Sequence, residues 1–167
     1  MANKFMKTGS VQARWLIIFS YIIALAFDIM ALLDNATVII PPISLIVLLY
    51  WCAHFLDKTH LLSAFVLGLL ADSLYQTTLG AHALIFSVFV FLMLRHRLRF
   101  KTYPIWHQAF SIGIYMMFYQ IVNYIIFSPV LESNNLIQYW SMPIIAIIIW
   151  PLLSLAFRRI TTNVVQR

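Results

Sequence analysis

Apolar runs separated by short polar breaks organise this 167-residue chain from end to end. They predict six helices, at about 15–33, 38–56, 61–77, 80–94, 105–127 and 136–157. Asp34-Asn35, Asp57-Lys58-Thr59-His60, Gln76-Thr77-Thr78, the run Arg95 to Lys101 ended by Pro104, and Ser128 to Asn135 supply the breaks. Pro41-Pro42 falls in the first turns of the second run, where the missing amide costs little because the first helical amides have no intrahelical partner. The third and fourth runs are barely long enough to cross a bilayer at about 1.5 Å per residue. Pro143 and Trp150-Pro151 interrupt the sixth, where kinks are tolerated if neighbouring helices re-satisfy the freed carbonyls. Tyr50-Trp51, near the end of the second run, suits an interfacial aromatic belt.

Composition turns this pattern into a class. Apolar residues make up 63% and charged residues 10%, far from soluble usage, where about a quarter of residues are charged. The expectation is an all-α integral membrane protein, with residues 1–167 forming a single six-helix transmembrane domain. Ala24-Leu25-Ala26 mimics a signal-peptidase site, but the apolar run continues to Leu33 and further spans follow, so a spanning helix is the better reading.

The net charge of +6 would point to nucleic acid in a soluble chain, and membrane topology accounts for it here. With six crossings, Lys4, Lys7, Arg14, Lys58, Arg95, Arg97, Arg99, Lys101, Arg158, Arg159 and Arg167 all fall on one side. The loops around Asp34, Gln76 and Glu132 carry no base. The positive-inside rule then puts both termini in the cytoplasm, and no nucleic-acid partner is implied. Arg95, Arg97, Arg99 and Lys101 form a basic loop suited to anionic lipid heads, at about 1 kcal/mol per base, or to a cytoplasmic protein partner.

Few residues could do chemistry. The five histidines show no metal-ligand spacing, and HExxH, CxxC, G-x-S-x-G, S-x-x-K and glycine-rich phosphate loops are absent, so no catalytic, cofactor or metal site is expected. Cys52 lies mid-run, where a thiol behaves as a small hydrophobe. Asp72 is the exception. A carboxylate in hydrocarbon costs about 2.5–3.5 kcal/mol even on lenient scales, so it should face protein rather than lipid. Ala64, Gly68 and Asp72 share one helical face and give a small-xxx-small surface for close helix approach. Past the turn at Gly80, His82 stands at the same end of the next helix, which makes Asp72 and His82 a candidate pair. Pinning helix three to helix four is the plainer role for that pair, and a proton or substrate site the alternative. Asp28 is expected to reach towards water near an interface. Gln120 and Asn123 are the polar positions of helix five.

Taken in order, these pieces resemble the rod-shape-determining membrane protein family MreD. The resemblance rests on Arg14-Trp15, Asp34-Asn35, Leu48-Leu49-Tyr50-Trp51, Phe65-x-x-Gly68-x-x-x-Asp72, Thr78-Leu79-Gly80, Ala83-Leu84 and Trp150-Pro151 before Arg158-Arg159. Leu56 stands where the family commonly has proline, and Gln76 where glycine is usual. What the resemblance implies is a non-enzymatic scaffold of the bacterial cell-elongation complex in the inner membrane. Its partners would be the single-span MreC, MreB filaments, and a peptidoglycan synthase made of a SEDS glycosyltransferase with a class B penicillin-binding protein; a homo-oligomer is compatible with it. The resemblance also implies a bundle similar to the substrate-binding subunits of energy-coupling-factor transporters, which supplies the alternative of a vitamin-type binding or transport subunit.

Overall fold

The computed structural model describes residues 11–33, 40–55, 60–127 and 139–165. Lys4, Lys7, Asp34, Lys58, Glu132 and Arg167, used above to sort charge, lie outside these residues. The regular elements are helices: α1 (Val11–Leu33), α2 (Ile43–His54), α3 (His60–Tyr75), α4 (Ala81–Thr102), α5 (Ile105–Phe127) and α6 (Met142–Val165). Consecutive helices run antiparallel in pairs. Asp28 meets Ile43 while Ser20 meets Trp51 across α1 and α2, and Asp72 meets His82 while Gly68 faces Ala83 across α3 and α4. Gly113 faces Ile147 across α5 and α6. Helices α1, α4, α5 and α6 are long and apolar enough to cross a membrane.

The second helix departs from expectation. Instead of 38–56 it is a 12-residue helix, about 18 Å long and too short to span hydrocarbon alone. Every residue from Ser44 to Ala53 is buried. Pro42 sets the start, since proline disfavours helical backbone at the residue before it, and Phe55 ends the helix in extended conformation. Tyr50 and Trp51 are therefore core residues and not members of an interfacial belt. Trp51 is fully buried, its indole N–H donates to Ser20 Oγ at 2.8 Å, and Tyr50 and Trp51 both pack on Phe157 of α6. The bundle is built around α2, while α3 and α4 share the most extensive helix interface. Helix α3, also short at 16 residues, turns Leu62, Phe65, Val66 and Leu70 outward as an apolar face.

A second difference concerns the basic run. The fourth helix does not stop at Leu94 but continues to Thr102, so Arg95, Arg97, Arg99 and Lys101 are its last turns rather than a loop. Nothing between Gly80 and Pro104 breaks a helix, and cations near a helix C-terminus are favoured by its dipole. At the far end of the sequence, α6 passes through Pro151 without interruption and extends beyond 157.

The bundle has two chemically distinct ends. Arg14 and His60 border one cavity, and His54, Lys101 and Arg158 another, at the end where α1 begins and α2, α4 and α6 finish. Asp28, Asp72 and His82 lie towards the opposite end, with Phe127 of α5 stacked on the His82 ring at 5.0 Å.

Candidate functional site

Asp72 closes α3 and opens α4. Gln76 adopts left-handed backbone (φ 53°), and the Thr77 amide reaches back to the Asp72 carbonyl at 3.1 Å, the hydrogen bond that seals a helix of this kind. The carboxylate of the same residue faces the start of α4. Oδ2 accepts the amides of Gly80 (2.8 Å) and Ala83 (3.4 Å). Oδ1 accepts the His82 amide (2.9 Å), His82 Nδ1–H (2.8 Å) and the Thr77 hydroxyl (3.0 Å). Helix α4 has no cap from its own flanking residue, Gly80, so Asp72 supplies one from the preceding helix, and its negative charge meets the positive end of the α4 dipole.

Burial here is nearly complete, with Asp72 1% and His82 3% exposed. The His82 ring lies against Phe127, Tyr75 (5.2 Å) and the edge of Phe86 (6.3 Å). Close helix approach makes the arrangement possible. A Cβ on Gly68 would lie 2.3 Å from Ala83 Cα and 2.5 Å from its nitrogen, so α4 backbone occupies the space a side chain would need. Ala64, Ala71 and Ala83 line the same seam, each at most 1% exposed. Gly80, left-handed at φ 102°, turns the chain between the two helices.

The structure thus brings Ala64, Gly68, Asp72, Gly80 and His82 into one seam. Gln120 stands apart: it is buried, its amide nitrogen donates to the Tyr139 carbonyl, and the Tyr139 hydroxyl returns a bond to the Gln120 carbonyl at 3.2 Å. Asn123 is half-buried on the same helix. None of Asp72, His82, Gln120 and Asn123 lines either of the two cavities at the basic end. Of the four basic residues grouped above, Arg95 and Arg99 are exposed, whereas Arg97 and Lys101 are partly covered.

Asp28 departs from the expected interfacial position. It is 4% exposed and does not reach water; its carboxylate accepts the amides of Ile43 (2.7 Å) and Ser44 (3.2 Å), the first residues of α2. Pro42, at the N-cap, provides no side-chain bond, so Asp28 does. The available signal was an acid near the end of one apolar run followed by Pro-Pro at the head of the next.

Among the described residues no cluster of His, Cys, Asp or Glu is arranged to hold a metal. Both described carboxylates are spent on the chain's own amides. Such a fold and seam define an all-α integral membrane protein whose buried acids hold helices together. The sequence profile of rod shape-determining protein MreD matches residues 10–160, and the chain belongs to the MreD family. Rod shape-determining protein MreD of Haemophilus influenzae is 25% identical over 162 residues, covering 95% of this chain and 98% of that protein. No solved structure matches the chain. The family assigns a role in determining rod shape.

Proposed function

We propose that the chain acts as a non-enzymatic scaffold of the cell-elongation complex in the bacterial inner membrane. Its six helices form six passes, with the basic end and both termini in the cytoplasm. In this reading it binds the single-span MreC and so links MreB filaments to the peptidoglycan synthase, a SEDS glycosyltransferase with a class B penicillin-binding protein. One observation carries the proposal: Asp72, the acid best placed for intramembrane chemistry, is fully engaged in capping α4. What remains for function is shape, an apolar outer surface held by a rigid interior.

Co-purification with MreC from membranes tests this. Gly68→Leu, which pushes α4 off α3, is expected to lose MreC, whereas Leu84→Ile on the exposed face of α4 keeps it. Equal recovery of MreC with both variants overturns the scaffold mechanism. Wild-type protein that retains a stoichiometric vitamin and no single-span protein overturns it in favour of a binding subunit. Reporter fusions at the C-terminus and within the Arg97 turn check the orientation; periplasmic signal from either refutes it.

A further inference from the structure

Helices α1 and α3 stand side by side but touch only lightly, because α1 packs mainly on α2 and α3 mainly on α4. Between them runs a groove of about 490 Å³, a size within the roughly 300–1,000 Å³ of small-ligand sites. Two ridges wall it, Ile18, Ile22 and Leu25 on α1 and Leu62, Val66 and Leu70 on α3, each following the spacing of one helical face. All of these but Leu25 are exposed, whereas Tyr21 and Leu67, which also line the groove, are buried and form its floor.

Polarity is graded along the groove. Arg14, His60 and Ser63 line it near the starts of the two helices, and apart from the buried Tyr21 the rest of the lining is aliphatic. From Arg14 to Leu25, and from His60 to Leu70, it extends about 15–16 Å at 1.5 Å per residue, half of the roughly 30 Å hydrocarbon layer. The groove is thus one leaflet deep. Trp15, 66% exposed beside Arg14, suits the membrane interface at its mouth.

Length and wall chemistry select the occupant. A spanning helix would need contact along the whole of the roughly 30 Å, twice what the groove takes, and helix contacts in membranes favour small residues that let backbones approach. These ridges are Ile, Leu and Val. Branched walls hold a partner's backbone at a distance, but they enclose a thin flexible chain and gain dispersion contacts along its length. A polar mouth, aliphatic walls and a depth of one leaflet match a lipid standing in the bilayer.

We propose that the groove between α1 and α3 holds one acyl chain of a phospholipid from the leaflet at the basic end, its headgroup level with Arg14 and His60. The site rests on the chain lying in a membrane and does not depend on which proteins the bundle binds.

The test uses the full chain, delipidated in detergent and titrated with dioleoyl or dihexanoyl phosphatidylglycerol, with bound lipid counted by native mass spectrometry. Dioleoyl lipid should be retained at one molecule per chain, and dihexanoyl lipid at least about tenfold more weakly, since its short chains leave most of the groove unfilled. Val66→Trp, which fills the groove from α3, should weaken retention of the dioleoyl lipid by about tenfold, whereas Ile148→Trp, on the exposed face of α6, should leave it unchanged. Should Val66→Trp not yield helical protein by circular dichroism, Ile22→Trp fills the groove from the opposite wall and should give the same loss. Equal retention by the groove and α6 variants, or equal binding of long and short chains, overturns the proposal. A second copy of the chain or a single-span protein bound in place of the lipid, and lost in Val66→Trp, overturns the assignment to lipid and makes the groove a protein interface.

Discussion

Asp28 and Asp72 perform the same task in two helix pairs: each carboxylate, buried on one helix, accepts the first amides of the next. A helix leaves its first four amides without intrahelical partners, and hydrocarbon offers no water to satisfy them. Neither α2 nor α4 has a side-chain cap from its own N-cap residue, Pro42 or Gly80. The acid that a membrane would exclude is thus stable because two such deficits cancel. Tyr75 lies between the two sites, its ring 5.2 Å from His82 and within electrostatic range of Asp28.

The caps should rank substitutions by the acceptors they leave. Asp72→Asn keeps one oxygen, and Asp72→Ala keeps none and strands the amides of Gly80, His82 and Ala83. With about 1–3 kcal/mol for each buried group left unpaired, alanine should destabilise by at least 3 kcal/mol and asparagine by about half as much. Thermal unfolding in detergent, followed by circular dichroism, measures both. Asparagine as damaging as alanine would mean that charge, rather than hydrogen bonding, holds the seam.

Asp28→Ala should cost at least about 2 kcal/mol, less than Asp72→Ala, since it strands two amides rather than three. Because α2 is buried on all sides, the damage should spread to the core. Exchange of the Ile43 and Ser44 amides with deuterium should rise in Asp28→Ala and stay slow in Asp72→Ala. Uniform exposure of both helix starts in either variant would show that the caps do not act separately.

How far the sequence revealed this arrangement depended on whether a feature was local. The span of α5 and the small-residue face of Ala64, Gly68 and Asp72 could be read because apolar length and four-residue spacing lie within one helix. The burial of α2 could not be, because a helix apolar on every side looks alike in lipid and in a protein core. Asp28 escaped for the same reason: its partners Ile43 and Ser44 belong to another helix, and an acid near a run's end reads first as an interfacial residue. The extension of α4 through Lys101 is not legible from charge, because a basic cluster suits a loop and a helix end alike, although Arg, His, Leu and Lys sustain a helix well until Pro104.

Two glycines at helix contacts should differ sharply in tolerance. A Cβ at Gly68 meets the Ala83 backbone at 2.3 Å, and the main chain of α4 cannot give way without moving the helix. At Gly113 the nearest atoms are Ile147 Cδ1 and Cγ1, both at 2.6 Å, the end of a side chain that can rotate. Gly68→Ala should therefore destabilise by about 2–3 kcal/mol and Gly113→Ala by under about 1, within the range of overpacking costs. Unfolding midpoints of the two variants decide it, and equal shifts would show that the α3–α4 seam opens easily.

The turn between α3 and α4 places two residues in left-handed backbone, and only one of them is glycine. Gln76, at φ 53°, bears the strain that a side chain suffers there, at about 1–2 kcal/mol, offset in part by the lower entropy it loses on folding compared with glycine. Gly80, at φ 102°, has open space around its absent Cβ, so an alanine there is opposed by backbone conformation and not by collision. Gln76→Gly should stabilise by up to about 1 kcal/mol, and Gly80→Ala should destabilise by about 1–2 kcal/mol. Combining them should nearly restore the starting stability, because Asp72 anchors the turn from both sides through the Thr77 and Gly80 amides. Unfolding midpoints of the two single variants and the double read this directly. A double variant much weaker than the sum would show that the Asp72 carboxylate cannot hold the start of α4 once Gly80 is changed.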